Sequence, residues 1–376
     1  MNEVFFPLLL VVFASFFQGT FGLGMKYVKP LAWEAWWLVH ATVAMLLFPW
    51  VWAFFVVPDL WSVLANSPAE AVGQGALYGF LWGIGGIMFG VSVRYVGMSL
   101  TYGIVMGLAA LMGSLIPLVG IENIGSNPAL PYVIGGMVAL LIGVAIVAYA
   151  GIKRDEIQSA EGKEIQGIQQ GTAFRIGLAI AITSGVLSGL LNVGFAATES
   201  IGDVAREAGS LERNTALARW VVVLVGAYAM NAGYALILLI KNRSFGTFKV
   251  QGGFVAYKWA VIAGLLWFAA LGVYGQGAAL MKSLGPVIGW PILLGLALII
   301  SNALAVWIGE WKGTPGPLKT MLGGVAVLIC AICILGFSNS LKAEPAEGQE
   351  AGLTTPGRAA VCDGQTAWSA LKCEYH

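Results

Sequence analysis

Charge is what this sequence has least of. Asp, Glu, Lys and Arg together make up 10% of its 376 residues, against about 25% in a soluble domain. That is too little to coat a water-facing surface of this size, which excludes a soluble enzyme and a disordered chain. Lys and Arg number 20 against 19 Asp and Glu. The balance leaves no net field to gather a nucleic acid. There are only two histidines, His40 and His376, and no metal-ligand cluster, HExxH or readable Ser/His/Asp set. The chain is read as a non-enzyme needing no cofactor or metal. Cysteine occurs four times. Cys330 and Cys333 have redox spacing but lie in a continuous apolar run, so they read as small packing residues. Cys362 and Cys373 lie near the C-terminus and can pair only in an oxidising compartment. Period-two alternation over about ten residues is absent, which argues against an outer-membrane barrel.

What the sequence has in plenty is apolar: 58% hydrophobic residues, with Gly 51 and Trp 14. A bilayer core needs about 20 apolar residues in a helix. Ten runs qualify: Val4–Leu23, Ala32–Val57, Ala71–Val93, Ser99–Ile121, Leu130–Ala150, Phe174–Ala196, Ala216–Ile240, Phe254–Met281, Gly285–Ile308 and Leu318–Ser338. The expected class is an all-α polytopic membrane protein. The first run lacks a basic leader and a small-residue cleavage site, so it reads as a retained span. Loops after odd-numbered runs hold 13 of the 20 basic residues. These loops are expected to be cytoplasmic and both termini to face outward.

The chain also repeats itself. At an offset of 188 residues (282 minus 94), Arg94 matches Lys282, Gly97 matches Gly285, Gly107 matches Gly295 and Glu122 matches Glu310. Gly135-Gly136 matches Gly323-Gly324, and Leu140 matches Leu328. Matched charges carry weight because charges are so scarce. Five helices per half is an odd number, so the halves insert in opposite senses, an arrangement of secondary transporters with the substrate between the halves. The organisation reads as residues 1–150 for the first repeat, 151–173 for a polar cytoplasmic linker, 174–338 for the second repeat, and 339–376 for a disordered tail.

Several blocks carry a family likeness. They are Lys26-x-Val28-Lys29 with Trp33-Glu34-x-x-Trp37, then Leu81-Trp82-Gly83-Ile84-Gly85-Gly86, Arg94-Tyr95-Val96-Gly97, Gly264-Leu265-x-Trp267 and Gly309-Glu310-Trp311. In order and spacing they resemble the L-rhamnose–proton symporter family, within the drug/metabolite transporter superfamily. The resemblance implies proton-coupled sugar uptake, with L-rhamnose as the leading substrate, across a bacterial inner membrane. It departs at Lys258, where the family has a histidine, and at Leu284–Trp290, where the family has an acid. Those positions bear on which sugar and which ion are carried. Another sugar or metabolite, or export, is the alternative within transporters; an intramembrane enzyme is the remote one.

A proton symporter needs a group that changes charge, and charges inside a membrane are costly enough to suggest function. Glu34, in the first turn of the second run, is either a coupling carboxylate or an acid stabilised by the helix dipole. His40 lies six residues on, about 9 Å deeper, and is either a proton or sugar ligand or a satisfied core histidine. Trp33, Trp36, Trp37 and His40 share a face at i, i+3, i+4, i+7, which suits stacking on a sugar ring and equally suits an interfacial belt. Gln18, Asn192, Asn231, Trp267, Tyr274, Gln276 and Asn302 are the remaining candidate sugar ligands, since amides and phenols suit hydroxyls; interhelical bonding is the other reading. Arg94, Lys282, Glu122 and Glu310 are expected to be gating or structural charges. The glycines Gly79, Gly83, Gly85, Gly86 and Gly90 read as a close-packing surface rather than a nucleotide loop.

Overall fold

The computed structural model describes residues 2–161 and 169–341. Cys362, Cys373, His376 and nearly all of the tail read at 339–376 lie outside these residues. Ten helices are long and apolar enough to cross a membrane: α1 Phe5–Tyr27, α2 Trp33–Val56, α3 Ala69–Val96, α4 Met98–Val119, α5 Leu130–Ala160, α6 Gly171–Glu207, α7 Glu212–Lys241, α8 Phe254–Leu280, α9 Lys282–Trp307 and α10 Pro315–Ser338. The described residues contain no strand. The ten apolar runs thus each become a helix. Residues 151–160 are helical too and extend α5 beyond its apolar run. That polar turn is laced by a Lys153–Glu156 pair at 2.8 Å, three residues apart.

Packing is mostly between the two halves. Helix α1 lies against α8 and α9, while α6 lies against α3 and α4. Helices α3 and α7 are in contact, as are α2 and α8, α4 and α9, and α5 and α10. Small residues set these distances, because lipid offers no hydrophobic drive and contact must come from close approach. A Cβ on Gly79 of α3 would meet the Val223 carbonyl, and one on Gly226 of α7 would meet the Ala76 carbonyl. The backbones of α3 and α7 therefore touch. Gly113 and Gly189 are likewise close to each other across α4 and α6, and Gly143 and Gly324 face Leu328 and Val147 between α5 and α10. Of the glycine-rich stretch on α3, Gly83 and Gly85 pack on α7 and α6, but Gly86 and Gly90 meet open space. The close-packing reading therefore fails for those two, which lie off the contact face. Cys330 and Cys333 are exposed on α10, so they are not core packing residues either.

Two helices are irregular where the chemistry concentrates. In α2, a π-helical segment at Thr42–Leu47 separates two α-helical pieces. Such bulges are frequent at functional sites. Helix α6 breaks at Thr198, whose Oγ1 donates to the Phe195 carbonyl at 2.9 Å.

Candidate functional site

The two ends of the bundle differ. At the end bearing the α5–α6 connection, cross-half contacts lace the structure. Lys26, in the last turn of α1, pairs with Glu310, between α9 and α10, at 2.9 Å. The other Glu310 oxygen is 3.9 Å from Arg154 on α5, and Gln158 donates to the Glu310 carbonyl at 2.8 Å. Arg154 also lies 4.8 Å over the Trp311 ring. Glu34, buried at the start of α2, accepts from Ser244 at 2.5 Å and from Asn242 at 3.0 Å, both in the α7–α8 connection. The Ala32 amide donates to Thr247 of that same connection at 2.8 Å.

At the opposite end the bundle is open. A cavity of about 860 Å³ is walled by the ends of α4 and α6 and the starts of α7 and α9. Glu122 and Lys282 both line it and are exposed. Arg206 at its rim is held by Asp203 at 2.7 Å and Glu212 at 2.6 Å. Deeper, Arg219 of α7 also lines it, although it is only 6% exposed.

From the laced end toward the middle of the bundle runs an aromatic layer. Trp33 stacks on Trp37 with centroids 5.4 Å apart, and Trp36 stacks on His40 at the same spacing. The shared face read from i, i+3, i+4, i+7 is therefore present, with Trp33 half exposed and Trp36 and His40 buried. His40 is 1% exposed, and its Nδ1 has no hydrogen-bond partner among the described residues. Trp37 donates through Nε1 to Asn231 at 3.1 Å. Trp267 lies 5.5 Å from Trp82 across the halves. Two residues beyond His40, Thr42 and Tyr228 share a hydrogen bond of 3.3 Å.

The remaining sequence candidates are distributed as follows. Asn192 and Tyr274 meet near the floor of the open end, where the Tyr274 hydroxyl donates to Asn192 at 2.5 Å. Asn192 uses its amide hydrogens on the carbonyls of Gly113 and Pro286, at 2.7 and 2.9 Å. It is wholly buried and ties α4, α6, α8 and α9 together. Gln276 donates to Asn214 at 3.4 Å, and Asn302 donates within its own helix to the Leu298 carbonyl at 2.9 Å. The Gln18 Oε1 is buried without a hydrogen-bond partner among the described residues. Glu310 pairs with Lys26 and Arg154 rather than with Arg94, which is exposed and whose carbonyl accepts from Gln169 at 3.1 Å. Sequence reasoning passed over Lys26, Asn242, Ser244 and Arg219. Arg219 sat among loop charges in the sequence; its signal was a cation just inside an apolar run.

Against this geometry stands a comparison with known proteins. Residues 2–340 match the family model described as L-rhamnose-proton symport protein (RhaT). The chain belongs to this family. Proteins named L-rhamnose-proton symporter from Yersinia pestis (strain Pestoides F) and Yersinia pseudotuberculosis serotype O:1b (strain IP 31758) are 27% identical to it over 321 residues. Each alignment covers 83% of this chain and 91% of the relative. One solved crystal structure superposes on 86% of this chain and 94% of its own, with a TM-score of 0.51 and 15% identity, which shows a shared fold. Of the two places where the sequence departs from the family pattern, Lys258 is exposed on the first turns of α8. The other touches the site: Pro286 lines the cavity, and Trp290 donates to the Ala109 carbonyl at 3.0 Å.

Proposed function

We propose that the protein takes up L-rhamnose together with protons across a bacterial inner membrane, by alternating access, and is not an enzyme. Family membership from residue 2 to residue 340 carries this reading. The geometry supports it: one end holds an open cavity with ample room for a sugar while the other is tied shut between halves. The basic-residue bias places the laced end in the cytoplasm, so the cavity faces outward and both termini lie outside. The state seen is then the one that loads sugar.

The two halves form an inverted repeat in this reading. Its support is that packing pairs map onto one another when five is added to each helix number: α1–α8 onto α6–α3, and α1–α9 onto α6–α4. The repeat-related acids Glu122 and Glu310 then sit at opposite ends, one in the open cavity and one in the closed lattice. Closing the mouth brings Glu122 and Lys282 together, as opening the inner end parts Glu310 from Lys26 and Arg154.

Proton coupling is assigned to α2. The Glu34 carboxylate accepts two hydrogen bonds from the α7–α8 connection. Bonds to an ionised acceptor are roughly twice as strong as neutral ones. Protonation weakens this tie, so the inner end opens once a proton has arrived. His40, about 9 Å deeper on the same helix, relays it from the loaded side through its unpartnered Nδ1. Release into the cytoplasm restores the carboxylate and the latch. The aromatic layer of Trp33, Trp37, Asn231 and Trp267 lines the route the sugar takes inward.

Counterflow in proteoliposomes tests the substrate. Vesicles preloaded with unlabelled L-rhamnose should draw in labelled L-rhamnose transiently, and a panel of other hexoses and sugar acids should compete poorly. A different panel member driving counterflow, with L-rhamnose inert, would replace the substrate while keeping the transporter.

A further inference from the structure

The cavity at the open end has a buried cation at its floor. Arg219 is fixed there from several sides. Its guanidinium carbon lies 3.8 Å from the centroid of the Phe195 ring, and Nε and Nη2 donate to the Phe195 carbonyl at 3.2 and 2.5 Å. The same carbonyl accepts from the Thr198 hydroxyl at 2.9 Å and from the Thr198 amide at 3.4 Å, at the break where the first segment of α6 ends. Phe195 is in turn held by Trp220, stacked with centroids 4.6 Å apart. The Arg219 stem packs against Gly202, where a Cβ would come within 3.3 Å of its Cδ.

Capping uses two of the five guanidinium N–H donors. Among the described residues Arg219 has no carboxylate within 4.0 Å: Asp203 and Glu212 are engaged by Arg206, and Glu199 lines the same cavity without reaching it. A buried charge with part of its hydrogen-bonding capacity unused is costly, and such groups in membrane proteins mark substrate sites. A ligand with paired oxygens fits the free donors, because the guanidinium fork is planar and rigid. The neighbouring wall is apolar, with Ile116, Ile121, Val193, Ala196 and Ala279. A 6-deoxyhexose has both features, adjacent ring hydroxyls and a methyl group.

We infer that Arg219 binds and orients the sugar, donating to two neighbouring ring hydroxyls while the 6-methyl group faces the apolar wall. This rests on the proposed sugar-uptake function. Asn192 and Tyr274 lie behind the cavity floor as positioning residues, their own bonds made within the protein.

The test is L-rhamnose binding to the purified full chain in detergent, measured by calorimetry, with deoxy analogues lacking one hydroxyl each. For the native chain, one or two analogues should bind roughly 10- to 100-fold more weakly than L-rhamnose, the range for a lost hydrogen bond to a charge. Arg219→Lys and Arg219→Met should weaken L-rhamnose by a similar factor and bind those same analogues as well as they bind L-rhamnose. A residue that only caps α6 would not produce that pattern. Unchanged L-rhamnose affinity in either variant, or the same analogue losses in variant and native chain, overturns the inference. Absence of L-rhamnose binding to the native chain overturns the sugar assignment instead. If both variants fail to fold, hydrogen exchange of the native chain decides: L-rhamnose should slow exchange around residues 195–202 and 215–219, and sugar binding without that protection contradicts the inference.

Discussion

Glu34→Gln is expected to abolish uphill accumulation of sugar while leaving sugar exchange largely intact. The substitution is nearly isosteric. The amide oxygen still accepts from Ser244 and Asn242, which the native Oε1 holds at 2.5 and 3.0 Å, but as a neutral acceptor it holds the latch only as weakly as the protonated acid does. What is lost is the change in charge. A symporter moving one proton per sugar sustains about a tenfold concentration ratio for each pH unit across the membrane. The variant should bring that ratio to about one in vesicles with an imposed pH gradient, while counterflow proceeds. Continued accumulation by the variant would remove Glu34 from the coupling step and leave His40, whose replacement by Gln would then be the variant to measure.

Asn192→Leu should cost the fold rather than the affinity. The native side chain satisfies the carbonyls of Gly113 and Pro286 and the hydroxyl of Tyr274, all in a wholly buried setting. Leucine leaves the Tyr274 hydroxyl and the Gly113 carbonyl unpaired, the latter because Pro117, four residues on, has no N–H to offer. Each buried polar group so stranded costs roughly 1–3 kcal/mol, and a protein is stable by only about 5–15 kcal/mol. The thermal midpoint in detergent should fall steeply or the monodisperse peak vanish on size-exclusion chromatography. Tyr274→Phe removes a single bond and should be mild. A sugar ligand would behave in the reverse way: Asn192→Leu would fold normally and lose only affinity.

The contrast between these two residues shows where the sequence was readable. Hydropathy located all ten helices, because twenty apolar residues in a row have few other uses. The Trp33–His40 face followed from helical period alone, and its stacked rings are present. Asn192 and Glu34 could be singled out as polar groups in an apolar run. Their roles depended on partners 70 to 210 residues away, which no local pattern encodes. The same holds for Glu310, whose partner Lys26 is 284 residues distant. Arg219 was missed because a cation at the edge of a span looks like an interfacial anchor. Only the fold, which sets the Phe195 ring and carbonyl against the guanidinium at the break in α6, shows why the guanidinium turns inward. The π-helical segment in α2 likewise has no signature in Thr42–Leu47, an ordinary apolar stretch.

The central claim is that sugar and proton move together, inward. A pH electrode in a lightly buffered suspension of cells or right-side-out vesicles containing the protein tests it most directly. Adding L-rhamnose without any imposed gradient should make the medium more alkaline as protons enter with the sugar. The shift should be absent without the protein and abolished by a protonophore. Sugar entry with no alkalinisation would contradict proton symport, whatever else the cavity binds.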